Sequence, residues 1–188
     1  MASSAMAQEA PVRDGSNSKP SPTHTRDMKA VSSAGPLSQI VSFRLANEEY
    51  GVDIMRAREI IMISQITRVP EVPDFICGLI NLRGHVIPIV DLRKRFGLEA
   101  REYDENTRVI VATVGAKTIG VVVDAVTEVL RIHAEQIEPA PSSIAGLDHE
   151  YIRGLVKLDQ RLLILLDIEK ILTNEQQREL PDASSVGA

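Results

Sequence analysis

The chain has 188 residues, a formal net charge of −5 and 44% apolar content, with three Phe, three Tyr and no Trp. That length predicts one domain or two small ones packed closely together. Few aromatic platforms, and no basic cluster beyond Arg93-Lys94-Arg95, exclude the usual means of holding nucleic acid. The lone Cys77 excludes an intramolecular disulfide and a CxxC metal knuckle.

Residues 1–37 are rich in Ser, Ala and Pro and lack aromatic residues, a composition that predicts a disordered tail. No charged stretch followed by an apolar core opens the chain, and no apolar run is long enough to span a bilayer, so a cytoplasmic location without membrane insertion is expected. SQIVSFRL (Ser38–Leu45) reads as a strand, Ala46–Glu49 as a polar turn and Tyr50–Ile54 as the returning strand of a hairpin. Met55–Ile63 fits either a strand or a helical turn. Val69–Pro73 reads as extended, because residues before proline are pushed away from helix. Phe75–Asn81 reads as a short turn or helix carrying Gly78, Arg83-Gly84 as a turn, and His85–Val90 as a strand. Pro88 within that strand lacks a backbone donor and places it at an edge or a bulge. Asp91 is positioned to cap a helix over Leu92–Phe96 with Gly97 as its stop, and Asp167 to cap the segment after it.

After a charged loop (Arg101–Asn106), Val109–Val114 and Thr118–Val123 form a second hairpin around Gly115-Ala116-Lys117. The unbroken Val121-Val122-Val123 run predicts a strand buried on both faces. Glu138–Ser143 is a connecting loop, Tyr151–Leu166 closes the fold, and residues 174–188 form a helical extension or tail.

An internal repeat runs through this series. Phe75–Phe96 aligns without gaps on Tyr151–Leu172, and Ile76, Gly78, Leu79, Leu82, Asp91 and Lys94 recur as Ile152, Gly154, Leu155, Leu158, Asp167 and Lys170. Ile40–Ile61 aligns on Val109–Leu130, with Gly51, Val52 and Glu59 recurring as Gly120, Val121 and Glu128. Duplication with short strands and paired hairpins predicts a mainly β fold of two pseudo-symmetric lobes, built as small antiparallel barrels or sheets.

The search for chemistry returns little. There is no GxSxG elbow, phosphate-binding loop or HExxH motif. His85, His133 and His149 lack His or Cys neighbours at ligand spacing. Asp53, Asp91, Asp124 and Asp167 lie at or near strand ends, where capping explains them more simply than catalysis. A small acid–base enzyme using Asp91 or Asp167 with His85 is the alternative of a different class. Glu59 and Arg83 are charges set in apolar sequence; they predict an ion pair, an interface charge that selects a partner, or both. Asp159 stands where the repeat places Arg83, a reversal of sign that predicts lobes with different faces.

NLRG (Asn81–Gly84) followed by PIVDLR (Pro88–Arg93) resembles the bacterial chemotaxis coupling proteins of the CheW family. EEYGVDI (Glu48–Ile54), Glu59-Ile60, GVVVD (Gly120–Asp124), EQIEPAP (Glu135–Pro141) and LILLDIEKIL (Leu163–Leu172) extend the resemblance over 38–173. The resemblance implies two intertwined five-stranded, SH3-like β subdomains around a shared core, no enzymatic activity and no cofactor or metal. It also implies two partners: the cytoplasmic tip of methyl-accepting chemotaxis proteins and the CheW-like regulatory domain of the histidine kinase CheA. Coupling them at membrane-associated receptor arrays would put the kinase under receptor control. The family's receptor-facing positions fall on Ala57, Glu59, Ile60, Arg83 and Val129; Ile60 and Val129 read equally well as core. No kinase-contact residue is assigned. A coupler of a non-flagellar array, for pilus motility or biofilm formation, is the alternative within the family.

Overall fold

The computed structural model describes residues 35–141 and 150–180. Most of both expected tails and part of the Glu138–Ser143 loop, with His149, lie outside that range. In the first copy of the repeat, β1 (Leu37–Leu45), β2 (Glu48–Asp53) and β3 (Ala57–Met62) precede β4 (Ile76–Leu82), β5 (His85–Asp91) and the one-turn helix α1 (Leu92–Arg95). In the second, β6 (Arg108–Val114), β7 (Lys117–Val123) and β8 (Ala125–His133) precede the two-residue β9 (Ile137–Glu138), β10 (Ile152–Leu158), β11 (Arg161–Leu166) and a 3-10 turn at Ile168–Lys170. Helix α2 (Asn174–Glu179) follows.

The strands make two sheets, ordered β8-β1-β2-β11-β10-β9 and β3-β6-β7-β5-β4. Replacing β1, β2, β3, β4 and β5 by their repeat equivalents β6, β7, β8, β10 and β11 converts the second order into the first, apart from β9. Neither lobe is therefore one copy: each joins the leading hairpin of one copy to the trailing hairpin of the other. The joints are the parallel pairs β2–β11 and β5–β7. The sheets expected to be antiparallel are so in their other pairings, and these two joints are the exception. Strands so distant in sequence are free of the short turn that forces antiparallel pairing.

The cores follow the same plan. A central cluster draws on both sheets and includes Phe43, Val52, Val90, Ile110, Val121 and Leu166. A second lies within the five-stranded sheet (Ile80, Ile87, Ile89, Val109, Val111, Val122), and a third within the six-stranded one (Ile40, Ile132, Val156, Leu163, Leu165). Each fully buried aliphatic side chain contributes about 1.5–3 kcal/mol of transfer free energy. β7 serves two clusters, Val121 and Val123 the central one and Val122 the other, which accounts for its unbroken apolar run. The scarce aromatic residues are concentrated between the sheets: Phe43, Tyr50, Phe96 and Tyr151 form a run with centroid spacings of 6.1, 5.8 and 4.6 Å. Arg95 lies 5.4 Å from the Phe75 ring and 5.8 Å from the Tyr151 ring, contacting both members of a repeat-equivalent pair.

Three local expectations are corrected. Phe75–Asn81 is not a turn or helix but mostly strand β4, with a bulge at Ile76/Gly78. Gly78 takes φ +137° there, and a Cβ would lie 2.1 Å from the Thr67 carbonyl oxygen. The glycine thus serves a close backbone approach rather than a turn. Val69–Pro73 is not simply extended, since Glu71 turns the chain at φ +59°. β5, with Pro88, is an interior strand and is not bulged at Pro88. Pro88 is tolerated because it faces Leu79 in what the alternation from Leu82–His85 makes a non-hydrogen-bonded pair, and pairing to β7 begins only at Ile89. The ambiguous Met55–Ile63 segment is chiefly a strand entered by a tight turn.

Candidate partner-docking surface

β3 and β8 are repeat equivalents, and each is the edge strand of its sheet. Ile60 on β3 pairs with Ile110, and Val129 on β8 pairs with Val41. Ile110 and Val41 both belong to the central cluster, so Ile60 and Val129 share the face turned toward the space between the sheets. Lacking an outer neighbour, they remain 41% and 51% exposed. Neither residue is buried in the core. Ala57, beside the β3 bulge, is half-buried against the central cluster.

Glu59 precedes Ile60. Arg83 donates to both its carboxylate oxygens, at 3.1 and 2.9 Å. Arg83 comes from the β4–β5 turn, at the opposite side of the sheet from β3, so the sheet curls until its ends meet across this pair while no ladder closes it. The NLRG motif is a device for this presentation. The Asn81 side chain accepts from Gly84 N at 2.8 Å, Gly84 takes φ +86°, and Arg83 at φ +55° stands out of the turn. With its side chain 76% exposed, Arg83 gains at most about 1 kcal/mol from the pair. The arrangement is cheap to display and oriented for contact.

The second lobe preserves the pairing through another residue. Asp159 occupies the Arg83 position at φ +42°, but Arg161, two residues on, donates to Glu128 at 2.6 Å. The sign reversal leaves an exposed carboxylate, Asp159, where the other lobe has Arg83, yet a cation is retained nearby. The cation has moved along the hairpin and still meets the repeat equivalent of Glu59.

Each of the strand-end aspartates accepts hydrogen bonds that organise the adjacent chain. Asp53 accepts from Met55 N, Asp91 from Arg93 N and Lys94 N, and Asp167 from Glu169 N. Asp124 receives a bidentate bond from Arg93, both contacts 2.7 Å, with each side chain only 13% exposed. It also accepts from Ala46 N at 2.8 Å. This ties α1 and the β1–β2 turn to the point where the chain passes from β7 in one sheet to β8 in the other. Burial opposes the Asp124 charge, but the bonds from Arg93 and Ala46 outweigh it and hold the carboxyl below its ordinary range. No periodicity or motif pointed to this pair.

Asp91 has a further partner, the Tyr103 hydroxyl, which donates at 3.0 Å and is in contact with Cys77 Sγ at 3.2 Å. Because the phenol donates to Asp91, the thiol is the donor to Tyr103. Burial pushes both Tyr103 and Cys77 above their ordinary pKa values, with the neighbouring Asp91 charge adding to each. These groups, with Arg68, Lys94 and Arg101, line an open cleft of about 870 Å³. His85 is absent from it. It lies at the other end of β5 from Asp91, roughly 20 Å away at strand spacing, so the proposed acid–base pair does not assemble. Asp91→Ala is expected to lower stability by about 1–2 kcal/mol through loss of the cap and of the Tyr103 acceptor, measured by urea denaturation. Full stability in that variant would show that the cap is redundant.

Among the described residues no group of three or more His, Cys, Asp or Glu is placed to hold a metal, and no helix is long and apolar enough to cross a membrane. The CheW-like domain family matches residues 39–176. The chain is 49% identical to the chemotaxis protein CheW of Klebsiella aerogenes over 138 residues, covering 73% of this chain and 83% of the relative. It is 34% identical to the chemotaxis protein CheW of Bacillus subtilis, over 77% and 93% of the two chains. The crystal structure of the scaffolding protein TtCheW from Thermoanaerobacter tengcongensis superposes with a TM-score of 0.67 at 39% identity, over 71% of this chain and 91% of that one.

Proposed function

The chain belongs to the CheW-like family of chemotaxis scaffold proteins, and from that premise we propose that it is the cytoplasmic adaptor through which methyl-accepting chemoreceptors control the kinase CheA. It performs no chemistry of its own; it holds two partners in one complex and is recruited through them to membrane-associated arrays. The observation that carries the receptor side is the recurrence of an exposed aliphatic residue at equivalent edge-strand positions, Ile60 and Val129, each following a glutamate paired to arginine. Edge strands normally blunt such exposure with charge. Apolar anchors beside an oriented ion pair fit the apolar stripe of a helical partner, the charges fixing register and the anchors supplying affinity. Ala57, Glu59, Ile60, Arg83 and Val129 form this receptor-facing surface. The regulatory domain of CheA engages strand edges and loops elsewhere on the two lobes.

The test is direct binding of the full chain to a receptor fragment containing the cytoplasmic hairpin tip and, separately, to the CheA regulatory domain. Both are expected to bind, and together. Ile60→Asp is expected to weaken the receptor fragment by more than about tenfold and to leave the kinase domain unaffected. Unchanged receptor affinity in that variant overturns the assignment of the surface.

A further inference from the structure

We infer that Arg161 is a positioning residue for the second half of the docking surface, holding edge strand β8 and Val129 as Arg83 holds β3 and Ile60. The inference rests on the receptor-facing role proposed above. The β1–β8 ladder is interrupted by a bulge between Val41 and Phe43, beside Glu128 and Val129. There the buried Ser42 hydroxyl stands in for ladder partners, donating to the Glu128 carbonyl at 3.1 Å and accepting from Glu128 N at 3.3 Å. Among the described residues no strand pairs with the outer side of β8. At this interrupted point Arg161 adds a side-chain restraint, reaching from the β10–β11 hairpin to the Glu128 carboxylate at 2.6 Å. Its other nitrogen donates to both oxygens of Glu49 on β2, at 3.2 and 3.1 Å. Glu49 is only 11% exposed on its side chain, so it needs that cation and anchors it in return. The guanidinium thus bridges an inner strand and the edge strand, a task its planar fork suits and a single ammonium serves less well. The Arg83–Glu59 pair has no such second carboxylate: the repeat equivalent of Glu49 is Thr118. Both corners pair an arginine with the glutamate that precedes the exposed aliphatic residue, but the Arg161 corner has a second carboxylate to brace it, so β8 is the more firmly held.

The experiment compares Arg161→Ala, Arg161→Lys and Val129→Asp in the full chain, titrating each with the receptor fragment and with the CheA regulatory domain. Arg161→Ala is expected to weaken the receptor fragment roughly tenfold, Arg161→Lys, which keeps the charge but not the fork, to recover only part of that loss, and both to bind the kinase domain normally. Val129→Asp is expected to abolish receptor binding. Normal receptor affinity in Arg161→Ala beside a defective Val129→Asp overturns the role of Arg161 and leaves the docking surface standing. Normal affinity in Val129→Asp removes the docking role of β8, and the inference with it. Equal loss toward both partners in Arg161→Ala overturns positioning in favour of general damage to the lobe.

Discussion

Arg93→Ala is expected to lower the free energy of unfolding by about 3 kcal/mol, the largest single-residue effect on stability that the ion pairs of this fold carry. Removing Arg93 leaves the Asp124 carboxylate facing a site that is only 13% exposed, with Ala46 N as its one other donor. It also frees the Glu99 carbonyl, to which Arg93 donates at 2.7 Å. The location magnifies the loss, because Asp124 sits where the chain leaves one sheet for the other. The same pair predicts an acid limb. Asp124 has a folded pKa below its unfolded value of about 4. Its contribution is therefore complete above about pH 4 and is lost as pH falls through the lowered folded value. Urea denaturation between about pH 2 and 7 is expected to show a shallower acid decline in Arg93→Ala than in the wild type. Parallel curves would assign the acid sensitivity to other carboxylates.

Arg83→Glu is expected to have the opposite profile, a large functional loss with little change in stability. The substitution sets two carboxylates against each other where Arg83 now grips Glu59 at 2.9 and 3.1 Å. The side chain is 76% exposed, so the new repulsion is relieved by swinging into water and costs no more than about 1 kcal/mol. The proposed docking surface, however, loses its cation, and receptor-dependent kinase activity is expected to fall at least about tenfold. Circular dichroism and a thermal scan separate the outcomes. An unfolded variant would make Arg83 structural, and a folded, fully active one would remove it from the surface.

The repeat made much of this architecture legible. Strands β1 to β5 have counterparts at the positions the alignment demands, and Asp91 and Asp167 cap the turns it assigned to them. Which strands pair was not legible, because an alignment of copies says what corresponds and not what touches. The β2–β11 joint is a parallel ladder that pairs Gly51 with Leu165, and no turn in the sequence announces it. Gly78 misled for a related reason: a glycine demanded by the approach of Thr67 looks, in sequence, like a glycine demanded by a turn. At the docking surface, Glu59 and Arg83 stood out as charges in apolar surroundings and do meet. Arg161 was hidden by a two-residue displacement within its hairpin, and Arg93 by the 31 residues separating it from Asp124. Comparing each charged residue with the neighbours of its repeat equivalent, rather than with the equivalent alone, would have exposed Arg161.

If this chain couples a receptor to a kinase, as proposed, kinase autophosphorylation depends on it. CheA is assayed with a chemoreceptor fragment in the presence and absence of the full chain. Activity that rises only when all three components are combined is the predicted result. Activity that is the same with and without the chain, although both partners are present and competent, would contradict the coupling role.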